Sequence, residues 1–261
     1  MTLMNTFQAI FLGMVEGFSE FLPISSTFHL LLTQQILKIG TDGNIDNFIV
    51  IIQSGAIFAA VWLYWRKILF NQKLLKVLLL SFLATGVVGF LGKDLVKAVF
   101  FTNHLLQIIS FIFVGGLFFL TEYLFKNKKR PKDNDDITIQ DALMIGLAQS
   151  FALIPGVSRS GAVILLMTWK GFNRSQSAEY SFMLGIPTIF AASIFDLADL
   201  IGSNQNFNDL AGYLIVGWVV AFIVALLSIK WLIVYLQKNT LNLFGWYRMV
   251  VGLLALLFLG K

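Results

Sequence analysis

The chain has 261 residues, of which 57% are hydrophobic and 13% charged, with a mean hydropathy of +0.80. A soluble domain usually carries about 25% charged residues, so this composition excludes a water-soluble globular enzyme, a disordered protein and a nucleic-acid binder. The formal net charge of +5 does not argue for nucleic acid, because the basic residues lie between apolar runs. There is no cysteine, hence no disulfide framework, no thiolate nucleophile and no cysteine-based zinc site. The first basic residue is Lys38, so a basic n-region and a cleavable signal peptide are not expected. The expectation is an all-α polytopic membrane protein forming one domain.

A membrane-spanning helix needs roughly 20 mostly apolar residues. The first apolar region, about 3–37, is not a plain span. It is interrupted by Glu16-Gly-Phe-Ser-Glu20-Phe-Leu-Pro23-Ile-Ser25-Ser26-Thr27-Phe28-His29. Spans are predicted at about 47–65, 74–92 and 104–125, and the polar segment 126–136 reads as a linker. A second interrupted region, about 138–169, contains Gln149-Ser-Phe-Ala-Leu-Ile-Pro155-Gly156-Val-Ser158-Arg159-Ser160-Gly161. Further spans are predicted at about 177–198, 210–229 and 243–260. Backbone that leaves the helix at membrane depth must be buried in protein or line a cavity. Both interrupted regions are therefore read as re-entrant helical hairpins.

The chain also repeats itself. Gly13-x-x-Glu16 followed by Pro23 resembles Gly146-x-x-Gln149 followed by Pro155, and Phe58-Ala-Ala60 returns as Phe190-Ala-Ala192. Val114-Gly115 returns as Val251-Gly252. Each half (about 1–125 and 137–261) then holds one hairpin and three spans. Because three is odd, the second half is expected to be inverted relative to the first. Loop charge orients the arrangement. With both termini outside, the inner loops 66–76, 126–137, 170–176 and 230–248 hold fourteen Lys and Arg residues, Arg248 among them. The outer side holds Lys38, Lys93, Lys97 and Lys261. The positive-inside rule selects this orientation.

Ionisable residues at membrane depth are expensive and mark function by default. Four are predicted there, Glu16, Glu20, His29 and Arg159, all in the interrupted regions. Glu16 and Glu20, at i and i+4, share a helix face. Paired carboxylates suit a hard divalent metal, Mg or Ca, that also binds phosphate oxygens; otherwise one of them pairs with Arg159. A Gly/Ser-rich turn opening a helix offers free N–H groups to an anion, and Arg159 adds a bidentate fork. Ser25, Thr27, Gly156, Ser158 and Ser160 are candidate substrate contacts in these turns. Ser26 is a candidate nucleophile, and His29 is a nucleophile, a base, a phosphate ligand or a buried imidazole. His104 borders a span and reads as interfacial. Trp62, Trp65, Trp231, Trp246 and Tyr247 read as interfacial anchors.

These motifs resemble the two signatures of the bacterial undecaprenyl-diphosphate phosphatase family, the bacitracin-resistance proteins. The first is Glu16-x-x-x-Glu20-Phe-Leu-Pro-x-Ser-Ser-Thr-x-His29 and the second is Pro155-Gly-x-Ser-Arg-Ser-Gly161. Ile51-Ile52-Gln53-x-Gly55 and Ser181-Phe182-x-Leu184-x-Ile186-Pro187 also look like family positions. The resemblance implies hydrolysis of a C55 isoprenyl diphosphate to its monophosphate, which recycles the lipid carrier of cell-wall synthesis and confers bacitracin resistance. It further implies divalent-metal dependence, a site facing the exterior of the bacterial cell membrane, and six spans plus two re-entrant hairpins. The family's functional positions carry over to Glu16, Glu20, Ser26, His29, Ser158 and Arg159. The expected reaction has Ser26 attacking the terminal phosphorus while Glu20 or His29 takes its proton; attack by His29 or by a metal-bound water is the alternative. Phe28 stands where the family commonly has Gly and is expected to tighten the turn before His29. Val163 stands where the family commonly has Thr. A lipid-carrier flippase or transporter built on the same repeat is the rival class. The expected partners are the isoprenyl diphosphate and the bilayer, with the oligomeric state undetermined.

Overall fold

The computed structural model describes residues 4–37, 39, 43–101, 103–125, 133–202 and 211–259, and among them the regular secondary structure is helical. The first half contains α1 (Thr6–Ser19), α2 (Ser26–Ile36), α3 (Gly43–Phe70), α4 (Gln72–Val96, extended by a π turn Lys97–Phe101) and α5 (His104–Phe125). The second contains α6 (Ile139–Ser150), α7 (Arg159–Trp169), α8 (Arg174–Gly202), α9 (Ala211–Lys238) and α10 (Asn242–Leu259). Among the described residues, four stretches are long and apolar enough to cross a membrane: Phe48–Phe70, Gln72–Phe100, His104–Phe125 and Gly212–Lys238. The chain is a multi-pass membrane protein. The other two predicted spans coincide in position with α8 and α10.

The predicted breaks fall where the sequence interrupts its apolar runs. Asn5 opens α1 with a reciprocal capping box, accepting from Gln8 N at 2.9 Å while Gln8 Oε1 accepts from Asn5 N at 2.9 Å. Thr138 opens α6 with the same device through Asp141, 133 residues later. Each box satisfies helix N–H groups that would otherwise be orphaned. The short helices then stop, turn, and restart at Ser26 and Arg159, again 133 residues apart. The residue before each restart, Ser25 (φ 68°) and Ser158 (φ 77°), adopts positive φ without being glycine. The apolar residues of the first turn, Phe21, Leu22 and Ile24, are buried. Phe21 meets Phe182 of α8 edge-on at 5.2 Å between ring centroids.

The helix pairings follow the same exchange of halves. α1 packs along α9, and α6 packs along α4. Gly13 and Gly17 let α1 approach α9 so closely that a Cβ would stand 2.6 Å from Gly217 O and 2.5 Å from Ala221 O. Gly146 of α6 faces the Ser81 carbonyl of α4 in the same way. α3 and α8 pack together, as do α5 and α10.

Four of the connecting loops lie together at one end of the bundle. Lys67 pairs with Glu179 at 2.6 Å, Lys73 donates to Asp135 O, and Asn134 N donates to Gln176 Oε1 at 2.6 Å. Glu122 accepts from Arg174 Nε at 2.7 Å and from Leu241 N at 2.9 Å. These are the loops that loop charge assigns to the inner side. One assigned charge does not belong there: Arg248 lies within α10 and is fully buried. Lys38, Lys126, Lys128, Lys129, Arg130, Lys132 and Lys261 lie outside the described residues.

Candidate active site

The two turns meet at a cavity of about 190 Å³. Glu20, Ser25, Ser26 and Thr27 line it from the first turn, and Pro155, Gly156, Ser158 and Arg159 from the second. Glu20 is the hub. Its Oε2 accepts from Ser26 Oγ at 2.5 Å, and its Oε1 lies 3.5 Å from Arg159 Nη2. A hydroxyl held by a carboxylate whose other oxygen faces a guanidinium has the geometry that a nucleophile–base pair beside an anion ligand would need. Arg159 donates its Nη1 to Ser181 O at 2.8 Å. Its guanidinium lies against Gly185, where any Cβ would collide with it.

The two serines at positive φ differ. Ser158 caps α7, accepting from Gly161 N at 3.2 Å, whereas Ser25 makes no such cap on α2. The Ser25 hydroxyl is thus not committed to the helix end. Gly156 (φ 97°) requires glycine twice over, by its conformation and because a Cβ would strike the backbone of Gln107.

Glu16 lies one turn before Glu20 and is fully buried, and neither of its carboxylate oxygens has a hydrogen-bond partner. A buried carboxylate without a partner is costly. Its orphaned oxygens fit a cation shared with Glu20. Among the described residues no three His, Asp or Glu side chains gather as a complete metal site. The donor set therefore suits a hard ion whose shell is completed by phosphate and water, as for magnesium.

Ser160 and His29, like Glu16, do not line the cavity. Ser160 is fully buried and donates to Leu22 O at 3.0 Å, tying one turn to the other. His29 bonds Ser25 O through Nδ1 at 2.8 Å and Tyr247 Oη through Nε2 at 2.7 Å. A carbonyl only accepts, so Nδ1 carries the proton. Ser26 is thereby paired with Glu20, while His29 braces the strained Ser25. Tyr247, expected as an interfacial anchor, is the His29 partner. Phe28 does not tighten the turn: it lies inside α2 and stacks on Phe111 at 4.2 Å between centroids. Val163 is fully buried in the main hydrophobic core.

Four further residues line the cavity; the sequence places Gln53 in a family-like segment and Gln149 in the second interruption without assigning either to the site, and it does not single out Thr85 or Thr188. Gln53, Thr85, Gln149 and Thr188 line the cavity from α3, α4, α6 and α8. Gln149 Nε2 donates to Thr85 Oγ1 at 3.1 Å and to Thr188 Oγ1 at 3.0 Å. The available signal was the recurrence that sets Gln149 opposite Glu16.

Comparison with known proteins agrees with the geometry. The chain is 40% identical to an undecaprenyl-diphosphatase of Aquifex aeolicus (strain VF5), covering 96% of this chain and 97% of that protein. It is 42% identical to one from Sulfurihydrogenibium sp. (strain YO3AOP1), covering 96% and 98%. Identity to an Acinetobacter baumannii (strain ATCC 17978) undecaprenyl-diphosphatase is 38%, covering 96% and 94%. The profile of the family described as Bacitracin resistance protein BacA matches residues 9–254. The chain belongs to the BacA family.

Proposed function

We propose that this protein hydrolyses undecaprenyl diphosphate to undecaprenyl phosphate and inorganic phosphate, recycling the lipid carrier and conferring bacitracin resistance. Family membership and the name of the relatives support the reaction. The observation that carries the chemistry is the Glu20 carboxylate between Ser26 Oγ at 2.5 Å and Arg159 Nη2 at 3.5 Å, on the wall of one cavity. The Ser26–Glu20 pair favours chemistry over simple binding, and the relatives compared bear a phosphatase's name and not a carrier's.

In this reading Glu20 takes the Ser26 proton as Oγ attacks the terminal phosphorus. The Ser26–phosphorus bond forms, the anhydride bond breaks, and the lipid monophosphate leaves. Glu20 gives its proton to the departing lipid phosphate and is a carboxylate again. Water then attacks the phosphorus on Ser26. Glu20 takes the water proton and passes it to Ser26 Oγ as the Ser26–phosphorus bond breaks and inorganic phosphate leaves. Arg159 and the N–H groups opening α7 hold the charge that develops on the phosphoryl oxygens. Ser25, Thr27, Gly156 and Ser158 complete the wall around the phosphates, and His29 holds the Ser25 carbonyl. Glu16 and Glu20 would hold a divalent metal, Mg or Ca, which would neutralise diphosphate charge.

Six spans plus two re-entrant hairpins in inverted repeats are the arrangement we infer, with both termini and the site facing the exterior. The recurring capping boxes, the equivalent turns and the basic loops gathered at one end support it. Phosphate release from undecaprenyl diphosphate by the pure protein in detergent tests the reading. Tight binding without release would turn it toward a carrier.

A further inference from the structure

The described residues contain one fully buried cation that the reaction above does not use. Arg248 of α10 is 0% exposed, and no carboxylate pairs with it among the described residues. An isolated buried charge is strongly unfavourable unless its donors are satisfied. Here backbone carbonyls satisfy them. Nε donates to Phe111 O at 2.9 Å and Nη1 to Pro23 O at 3.0 Å, while Nη2 donates to Gly156 O and lies 3.4 Å from Val157 O. The guanidinium also lies over the Phe111 ring at 4.3 Å, and Phe28 stacks on that ring.

Pro23 and Gly156 are equivalent positions of the two turns, 133 residues apart. Each lies two residues before a serine at positive φ and three before a site residue, Ser26 in one turn and Arg159 in the other. One planar fork therefore grips the same carbonyl of both turns from behind. A further consequence follows from the trans peptide, in which C=O and N–H point in opposite directions. With Val157 O turned toward Arg248, the Ser158 N–H is turned away from it. Across the halves, Ser160 Oγ of α7 also donates to Leu22 O of the first turn at 3.0 Å, and Arg159 Nη2 lies 3.5 Å from Glu20 Oε1; neither contact holds both turns at once.

We propose that Arg248 is a positioning residue that sets the separation and orientation of Ser26 and Arg159 by bracing both turns. The proposal rests on the hydrolytic reading above. Arg248 does not line the cavity, so its loss should misalign the attack, while Arg159 stays held by Ser181 O and keeps the main charged contact to the phosphates. A misplacement of about 1 Å costs on the order of 100-fold in rate. Arg248→Lys keeps the charge but loses the planar fork. Folded Arg248→Lys should show kcat lowered about 100-fold with KM within about threefold of wild type, the signature of an interaction made toward the transition state. Methylguanidine added to Arg248→Ala should restore at least about tenfold of the lost rate.

A second measurement needs no turnover. The native chain has no cysteine, so nitroxides can be attached through Thr27→Cys, at the start of α2, and Ile154→Cys, on the second turn. Dipolar broadening should report a single narrow separation with Arg248 and a broad distribution with Arg248→Ala. If the wild type releases no phosphate, the hydrolytic reading fails and the nitroxide separation alone decides on the brace. Unchanged separation in Arg248→Ala, or kcat within threefold of wild type in folded Arg248→Lys, overturns the proposal. Recovery of both variants only as unfolded protein also overturns it, because Arg248 would then hold the fold and not the site.

Discussion

Gly185 shows how a residue without a side chain serves the site. Arg159 reaches Ser181 O and the Glu20 carboxylate by lying flat against the Gly185 backbone. A methyl group there meets the end of a flexible side chain, so the guanidinium would move while the helix stays. Gly185→Ala should therefore keep its thermal unfolding in detergent within a few degrees of wild type and lose roughly 100-fold in turnover, as expected when a charged transition-state ligand is displaced. Arg159→Lys should lose at least as much, because an ammonium cannot reproduce the bidentate fork. Wild-type turnover in folded Gly185→Ala would mean that Arg159 acts from another position. Glu16 carries a second residue-scale expectation. Phosphate release measured against magnesium concentration should fall in Glu16→Gln and need more metal for half-activation, with EDTA as the zero. Identical metal curves for wild type and Glu16→Gln would remove Glu16 from the metal site. The sequence made Glu16, Glu20 and Arg159 legible because charge in an apolar run has few innocent explanations, and Ser26 because it stands in a hydroxyl cluster after Pro23 and close to His29. Gly185, Thr85 and Thr188 carried no such signal, since small residues in membrane helices have many uses.

At the scale of elements, the two turns were legible and their internal conformation was not. Proline, glycine and clustered serines announced where the helices stop. Nothing in the sequence singled out Ser25 and Ser158 as the residues at positive φ, because L-residues adopt that region only when the surroundings impose it. The surroundings are identifiable for the first turn: His29 holds the Ser25 carbonyl, and Arg248 holds that of Pro23. This separates strain from chemistry. Ser25→Gly removes a conformational cost of about 1 kcal/mol and adds unfolded-state entropy of similar size. Its thermal stability should stay level. The hydroxyl is not spent on capping α2, so turnover should nevertheless fall, by roughly tenfold for one neutral hydrogen bond to the substrate. Unchanged turnover in Ser25→Gly would make Ser25 a purely conformational residue.

For the whole molecule, the ends of the apolar runs were legible and one charge was misread. Arg248 lies near the end of a basic loop and follows the aromatic pair Trp246-Tyr247, so the sequence reads it as an inner-side cation at an interface. In the fold α10 begins at Asn242, which puts Arg248 nearly two turns inside the helix and among the backbone carbonyls of both breaks. Removing it leaves thirteen basic residues on the inner loops against four outside, and the orientation rule still points the same way. The fold adds an independent constraint. Lys73 and Asp135, Asn134 and Gln176, and Arg174, Glu122 and Leu241 are all joined by hydrogen bonds, so these loops must share one side of the membrane. His104, at the start of α5, lies a full helix away from Phe125 and hence toward the other side. In the cysteine-free background, Asp135→Cys should be shielded from an impermeant thiol reagent in intact cells and become reactive after permeabilisation. His104→Cys should react in intact cells. Both side chains are exposed, so lack of reaction reports sidedness and not burial. Labelling of Asp135→Cys with protection of His104→Cys would invert the whole arrangement and turn the cavity toward the cytoplasm. Labelling of both would contradict the fold itself, because a 22-residue apolar helix separates them from a common surface.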